Sequence, residues 1–197
     1  MKTYLLCHGF GFSHDYWCNL TSLLDGEAVF FDENFTVDPN KHYIGIGHSL
    51  GFQKLNNSDI KFDFLIGLQG FINFCGSNTI IRKKNLDRMI KMFEKDASWA
   101  LKIFYDACQY NRPVPKEINK DERIKDLISM KKSYSYCGCS GLIIGSDVDK
   151  IVPMSVIEDN FRCIPNVVIK RINGIPHILG FIKADAVVHE IFLRQSI

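Results

Sequence analysis

The feature that most constrains the fold of this chain is a glycine-flanked serine directly after an apolar run. Residues 43–46 read Tyr-Ile-Gly-Ile, and residues 47–51 read Gly-His-Ser-Leu-Gly. This pattern predicts a buried strand that turns sharply into a helix, with Ser49 on the turn. The turn strains the serine backbone, and the two glycines leave no side chain to collide with neighbouring elements. A serine presented in this way is predicted to act as a nucleophile.

The start of the chain is predicted to supply a second part of the same site. An apolar strand over residues 3–7 runs into residues 8–11, which read His-Gly-Phe-Gly. A turn of this kind places one backbone N–H group beside the nucleophile, and the residue after the nucleophile supplies another. We therefore expect the N–H groups of Phe10 and Leu50 to form an oxyanion hole, which stabilises the charge that develops when the serine attacks a carbonyl group.

The second half of the chain offers an acid and a base. A strand signal at residues 142–145 leads into a loop with Asp147 and Asp149, and His177 follows the last strand signal. Serine, aspartate and histidine in this chain order are typical of α/β-hydrolases. We predict that His177 is the general base and that a carboxylate fixes its tautomer. His48, next to the serine, is expected to line the mouth of the pocket.

Two aspartates compete for the role of that carboxylate. Asp149 is favoured because residues 149–153, which read Asp-Lys-Ile-Val-Pro, resemble the Asp-x-x-Val-Pro ending common in these hydrolases. Asp147 remains the alternative, because the spacing from Gly145 to Asp149 is one residue longer than in most such hydrolases.

Composition sets the general class of protein. The 197 residues, of which 46% are hydrophobic, are predicted to form a single domain with a sizeable core. No apolar run is long enough to cross a membrane and a strand signal begins the chain, so we expect a soluble cytoplasmic protein without a membrane partner. The seven cysteines include no Cys-x-x-Cys pair and no histidine cluster joins them, which favours reduced thiols. We expect neither a metal nor a cofactor.

Strand and helix signals alternate along most of the chain. They predict strands near residues 3–7, 28–32, 42–48, 62–68, 141–145 and 166–171, and helices near 15–24, after the serine turn, near 154–161 and near 181–194. Such alternation predicts an α/β-hydrolase fold, with a mostly parallel sheet and helices on both faces. Residues 72–140 interrupt the alternation after the fourth strand signal, and we predict that they form a small helical lid.

The predicted lid is the basic part of the chain. Residues 72–135 contain 14 lysines and arginines against eight aspartates and glutamates, a net charge of +6, whereas the whole chain carries +2. A solvated helix face is the usual cause of such a run, but its place beside a predicted active site favours an acidic partner. Arg88, Lys91 and Lys95 are the candidate partner-binding residues. No nucleic-acid-binding motif accompanies them, so we expect no nucleic-acid partner.

Several segments together resemble the pimeloyl-[acyl-carrier protein] methyl ester esterases of biotin synthesis. They are residues 5–11, Trp17, the serine turn at 47–51, the ending at 176–181 and an apolar lid helix over 86–108. The chain departs from these esterases in a short connection over residues 32–41 and in Phe52, which takes the place of a second glycine.

This resemblance implies a serine esterase that removes the methyl group from a pimeloyl chain held on acyl carrier protein. It implies that Ser49, Asp149 and His177 form a catalytic triad, that no cofactor is required, and that the acidic carrier docks on the basic lid. Two other functions fit the same residues: a general short-chain carboxylesterase or acyl thioesterase, and a non-catalytic binding protein on a hydrolase scaffold. The sequence indicates no particular oligomeric state.

Overall fold

The computed structural model describes residues 2–32 and 34–195 and is built around a six-stranded parallel sheet. The strands are β1 (Thr3–Cys7), β2 (Glu27–Phe30), β3 (Tyr43–His48), β4 (Phe62–Leu68), β5 (Ser140–Gly145) and β6 (Val167–Arg171). Their order across the sheet is β2-β1-β3-β4-β5-β6, and every neighbouring pair is parallel. The direction of winding reverses between β1 and β3, and ligands bind beyond the carboxyl ends of strands at such a point.

Helices cover both faces of the sheet. They are α1 (Cys18–Thr21), α2 (Leu50–Asn56), α3 (Thr79–Lys95), α4 (Ala97–Cys108), α5 (Lys120–Ser129), α6 (Met154–Phe161), α7 (Leu179–Ile182) and α8 (Ala184–Gln195). One group of covering helices includes α2 and α6, which pack together through the Phe52 and Phe161 rings, 5.5 Å apart. Another includes α1, α7 and α8, which contact one another. The α/β fold predicted from the alternating signals is therefore confirmed.

The segment between β4 and β5 contains α3, α4 and α5, which we call the helical insertion. The single lid helix expected over residues 86–108 is wrong, because the chain leaves the helical conformation at Asp96, where φ is −154° and ψ is 99°. The Asp96 carboxylate accepts a hydrogen bond of 2.9 Å from the Trp99 N–H and so caps the start of α4.

Two other helices also differ from the prediction. The helix expected near residues 15–24 consists of a 3-10 helix over His14–Trp17 followed by the short α1. The final helix is divided into α7 and α8 at Lys183, where φ is −134° and ψ is 42°. All seven cysteines are free thiols. None of the helices in residues 2–32 and 34–195 combines the length and apolar character needed to cross a membrane.

The turn from β3 into α2 depends on two glycines that have no room for a side chain. A Cβ atom on Gly51 would lie 2.0 Å from the carbonyl oxygen of Cys7 in β1, and a Cβ on Gly47 would lie 2.3 Å from the Phe52 Cα. Both neighbours are backbone atoms, which cannot turn aside as the end of a side chain can. These two glycines allow α2 to start directly against the ends of β1 and β3.

Replacing Gly51 by alanine is therefore expected to lower the free energy of unfolding by about 3 kcal/mol, the upper end of the usual cost of overpacking, since the backbone must shift to admit the methyl group. Gly138→Ala is the control, because a Cβ there meets no atom within 4 Å and only its φ of +90° opposes the substitution. The control should lose about 1–2 kcal/mol. Denaturant unfolding measures both values, and equal losses would contradict the close-approach argument.

Candidate active site

Ser49 lies at the turn between β3 and α2 in a backbone conformation that few non-glycine residues adopt. Its φ is 54° and its ψ is −120°. Its N–H donates a 3.0 Å hydrogen bond to the carbonyl of Leu68, at the end of β4. Strain of this kind persists only where the surrounding structure holds it, and it is concentrated at functional sites. The fold thus positions the serine hydroxyl at the carboxyl edge of the sheet.

Three side chains that are far apart in the sequence form a hydrogen-bonded chain. The Nε2 atom of His177 lies 2.9 Å from the Ser49 Oγ, and its Nδ1 atom lies 2.7 Å from Oδ2 of Asp149. A carboxylate only accepts hydrogen bonds, so Nδ1 carries the proton and Nε2 accepts from the serine hydroxyl. All three residues are at most 3% exposed. This arrangement can draw a proton from the serine as it attacks a carbonyl carbon.

The two candidate aspartates have different environments. The second oxygen of Asp149, Oδ1, accepts hydrogen bonds from the N–H groups of Ile151 and Val152, at 2.8 and 3.0 Å. Asp147 instead accepts a 2.8 Å hydrogen bond from the N–H of Gly174, which lowers the pKa of this exposed carboxyl. The structure therefore places Asp149 against His177 and places Asp147 in the surface turn that precedes the histidine.

The backbone around Phe10 lies against the serine, as the oxyanion-hole prediction requires. A Cβ added to Gly9 would lie 2.9 Å from the Ser49 Cβ, so the turn after β1 packs directly on the serine. Among the described residues, no group accepts a hydrogen bond from the N–H of Phe10 or of Leu50. Both groups are therefore available to an oxygen atom bound beside Ser49.

The helical insertion holds this turn in place. The hydroxyl of Tyr105 in α4 donates a 2.7 Å hydrogen bond to the carbonyl of Gly11. The Phe10 ring packs edge-on against Phe93 of α3 and Phe104 of α4, with ring centres 5.5 and 5.1 Å apart. The geometry of the Phe10 amide consequently depends on the insertion as well as on β1.

A buried glutamine that the sequence analysis did not single out attaches the histidine loop to the sheet. Gln69 follows β4 with a φ of 51°. Its side-chain amide donates a 2.7 Å hydrogen bond to the carbonyl of Pro176 and accepts a 3.0 Å hydrogen bond from the N–H of Leu179. These two bonds flank His177 on either side. The only sequence signal was a polar residue directly after an apolar strand.

His48 does not lie at the mouth of the pocket, where it was expected. It is fully buried, stacked on Tyr16 at 4.2 Å and 4.8 Å from the ring centre of His177. The difference arises because β3 is a central strand of a parallel sheet whose two faces are both covered, so all six of its residues are buried. Burial, followed by the proximity of His177, lowers the pKa of His48 well below its ordinary value. A neutral His48 adds no repulsion when His177 takes up a proton.

A cavity of about 190 Å³ opens beside Ser49. Most of its wall is apolar and comes from the turn after β1 and the helical insertion, namely Phe10, Leu86, Met89, Phe104, Leu127 and Met130. Such a wall suits an acyl chain. The predicted partner-binding residues Arg88, Lys91 and Lys95 are not part of it, since they lie exposed on the outer face of α3. Within the described residues, no group of three potential metal-ligating side chains is found.

Known structures share this architecture at low sequence identity. An esterase from Exiguobacterium antarcticum is 13% identical, with coverage of 98% of this chain and 91% of that one and a TM-score of 0.76. A lipase-esterase related protein from Clostridium acetobutylicum is 15% identical, with 97% and 93% coverage and a TM-score of 0.71. MenH from S. aureus is 15% identical, with 97% and 92% coverage and a TM-score of 0.67.

These similarities identify the fold of the chain as that of the α/β-hydrolases. No family model matches the sequence, and neither does any curated protein sequence. The comparisons therefore identify the fold and not the substrate.

Ser49→Ala is expected to lower kcat on p-nitrophenyl pentanoate by a factor on the order of 10⁶, because loss of the attacking oxygen removes the covalent route. Ser58→Ala is a matched control, since that hydroxyl donates only to the carbonyl of Leu55 near the end of α2. The control should keep wild-type turnover, and both variants should keep the wild-type circular dichroism spectrum. Turnover above a few per cent in Ser49→Ala would exclude this serine as the nucleophile.

Asp149→Asn is expected to lower kcat about 10⁴-fold, because an amide no longer holds the required tautomer of His177. Asp147→Asn should change kcat by less than about three-fold, since the asparagine carbonyl can still accept the hydrogen bond from Gly174. Steady-state kinetics of the two variants on one ester make the comparison. A larger loss in Asp147→Asn would assign the acid to the other aspartate.

Proposed function

We propose that this protein is a serine carboxylesterase whose substrate is an acyl ester carried on acyl carrier protein. The observation that carries the proposal is the hydrogen-bonded chain of Ser49, His177 and Asp149, next to two unpaired N–H groups and an apolar cavity. A non-catalytic binding protein would have no need for this alignment. The loss of turnover expected in Ser49→Ala separates these two functions.

The proposed reaction has two halves. His177 Nε2 takes the proton of the Ser49 hydroxyl while Oγ attacks the ester carbonyl, and the N–H groups of Phe10 and Leu50 hold the resulting oxyanion. The ester C–O bond then breaks, and His177 returns the proton to the leaving alcohol. Water attacks the acyl-serine with His177 again as the base, which releases the acid and restores the serine. Asp149 stabilises the imidazolium in both halves.

The exposed face of α3 supports a carrier-bound substrate. Arg88, Lys91 and Lys95 are spaced so that they share one side of the helix. None of them forms an ion pair with another residue in the described part of the chain. Unpaired cations beside a site attract and orient an acidic partner. We call these three residues the basic face.

The resemblance to pimeloyl-[acyl-carrier protein] methyl ester esterases supports a more specific substrate. In this proposal the ester is the methyl ester of a pimeloyl chain, so that methanol leaves and a free carboxylate remains on the carrier-bound chain. The carrier would contact the basic face, and its flexible arm would deliver the chain to the cavity.

A general short-chain carboxylesterase or acyl thioesterase is the second candidate. The volume of the cavity favours it, because about 190 Å³ lies below the roughly 300–1,000 Å³ of most small-molecule sites. A short-chain enzyme would hydrolyse free and carrier-bound esters at similar rates. The two candidates therefore differ in their dependence on the carrier and on the basic face.

Lys91→Glu together with Lys95→Glu is expected to lower kcat/KM on pimeloyl-acyl carrier protein methyl ester about ten-fold or more, with little change on free p-nitrophenyl pentanoate. The reason is that exposed charges orient a charged partner without building the cavity. Raising the salt concentration from 0.1 M to 1 M should produce the same loss, because the screening length falls from about 10 Å to about 3 Å.

Lys61→Glu with Arg162→Glu is the matched control for this pair. Both residues are exposed, neither forms an ion pair within the described residues, and neither lies on the helical insertion. The control should leave both activities unchanged. If the variant with Lys91→Glu and Lys95→Glu kept its full kcat/KM on the carrier-bound ester, the short-chain esterase would be favoured. Equal losses on the two substrates would mean that the substitutions damaged the helical insertion.

A further inference from the structure

The cavity beside Ser49 has a polar side that neither the triad nor the basic face uses. Arg82 and Asn85 from α3, and Lys150 from the loop after β5, line it together with the apolar wall. Asn85 and Lys150 are exposed and Arg82 is half-buried, whereas most of the apolar wall is buried. This gradient of exposure places the three polar residues at the opening of the cavity, which we call the cavity rim.

Arg82 is held in position without a counter-ion. Its guanidinium lies 5.4 Å from the centre of the Phe74 ring, and one of its N–H groups donates to the carbonyl of Ile151 at 3.4 Å. Within the described residues no carboxylate approaches it within 4.0 Å. Burial lowers the pKa of Arg82, but a guanidinium is not deprotonated in proteins, so the group stays charged at neutral pH.

Asp149 and Asp159 are the two carboxylates that act electrostatically on Arg82, and both are engaged elsewhere. Asp149 is fully engaged by His177 and by two backbone N–H groups. Asp159 accepts a 3.1 Å hydrogen bond from the N–H of Ser77. A partly desolvated cation whose guanidinium has five donors, and which has no acid beside it, is a strong site for a ligand anion.

The cavity rim also continues into the basic face. An N–H group of Arg88 lies 3.4 Å from the side-chain oxygen of Asn85, whose own NH₂ group remains a donor. Positive charge and hydrogen-bond donors therefore extend from the exposed side of α3 to the opening above Ser49. Among the described residues that line the cavity, none is an aspartate or a glutamate.

We propose that Arg82, assisted by Lys150 and Asn85, binds an anionic group of the substrate while its ester or thioester carbonyl reacts at Ser49. This inference rests on the proposed esterase function for the reaction at Ser49. The anion is a carboxylate or a phosphate, since the guanidinium fits both groups. It belongs either to the far end of the acyl chain, where the carrier's arm is attached in a methyl ester substrate, or to the leaving side, as in the phosphopantetheine thioester that the acyl thioesterase candidate would cleave.

Two matched pairs of substrates distinguish these sources. The first pair is mono-p-nitrophenyl glutarate and p-nitrophenyl pentanoate, which differ in a terminal carboxylate against a methyl group. The second pair is S-butyryl-4′-phosphopantetheine and S-butyryl-pantetheine, which differ in a phosphate on the leaving side. In each pair, the quantity measured is the ratio of kcat/KM for the anionic member to that for the neutral member.

The wild-type protein is expected to prefer the anionic member of at least one pair by about ten-fold or more, and Arg82→Gln should abolish that preference. Lys150→Gln should reduce the preference in part. This variant tests the cavity rim without disturbing the contact between Arg82 and Phe74. Arg162→Gln, at an exposed arginine outside the cavity, should keep it. A preference in the glutarate pair places the anion on the acyl chain, and a preference in the pantetheine pair places it on the leaving side.

The proposal is overturned if neither pair shows a preference, or if Arg82→Gln retains the preference in full. Failure of the esterase function itself would appear differently, as no turnover of any of the four substrates by the wild-type protein. In that case, calorimetric titration with glutarate and with 4′-phosphopantetheine tests the rim without catalysis. Binding of either compound by the wild-type protein but not by Arg82→Gln would support the anion site, and equal or absent binding would refute it.

Discussion

Helix α2 begins so close to strand β1 that a Cβ on Gly51 would overlap the carbonyl oxygen of Cys7. This close approach forces the chain through a left-handed conformation at Ser49, whose φ is 54°. It also places the first amide of α2 opposite the turn that follows β1. The hydroxyl and the two N–H groups of the candidate oxyanion hole therefore owe their positions to one crowded crossing of backbone segments.

The helical insertion contributes to three parts of the molecule at once. Through Tyr105 and Phe104 it holds the turn that carries the Phe10 amide. Its inner side forms most of the apolar wall of the cavity, and its outer side carries the basic face. A change in the packing of α3 or α4 would consequently affect the reacting groups as well as the substrate. For that reason, charge changes on the outer side are better probes of docking than changes in the apolar wall.

Local patterns in the sequence were sufficient to predict the sheet and the residues that meet at its edge. The strands lie within two residues of the predicted positions, because each is a short apolar run bounded by polar residues or glycine. The breaks at Asp96 and Lys183 escaped prediction, because apolar residues continue at helical spacing on both sides of each break. The sequence patterns also did not predict that Gln69 bonds to the histidine loop or that Arg82 lines the cavity. Their partners are distant in the sequence or are main-chain carbonyls, which no pattern of side chains reveals.

The two hydrogen bonds of Gln69 have a consequence for the chemistry that this position tolerates. One bond needs a donor and the other an acceptor, and both must come from one planar group at the end of a side chain long enough to reach Pro176 and Leu179. A carboxylate of the same length would satisfy Leu179 but would set a negative oxygen against the carbonyl of Pro176. Deamidation of this single side chain would thus replace a hydrogen bond that holds the histidine loop with electrostatic repulsion. Such damage would displace His177 while leaving every reacting group chemically intact.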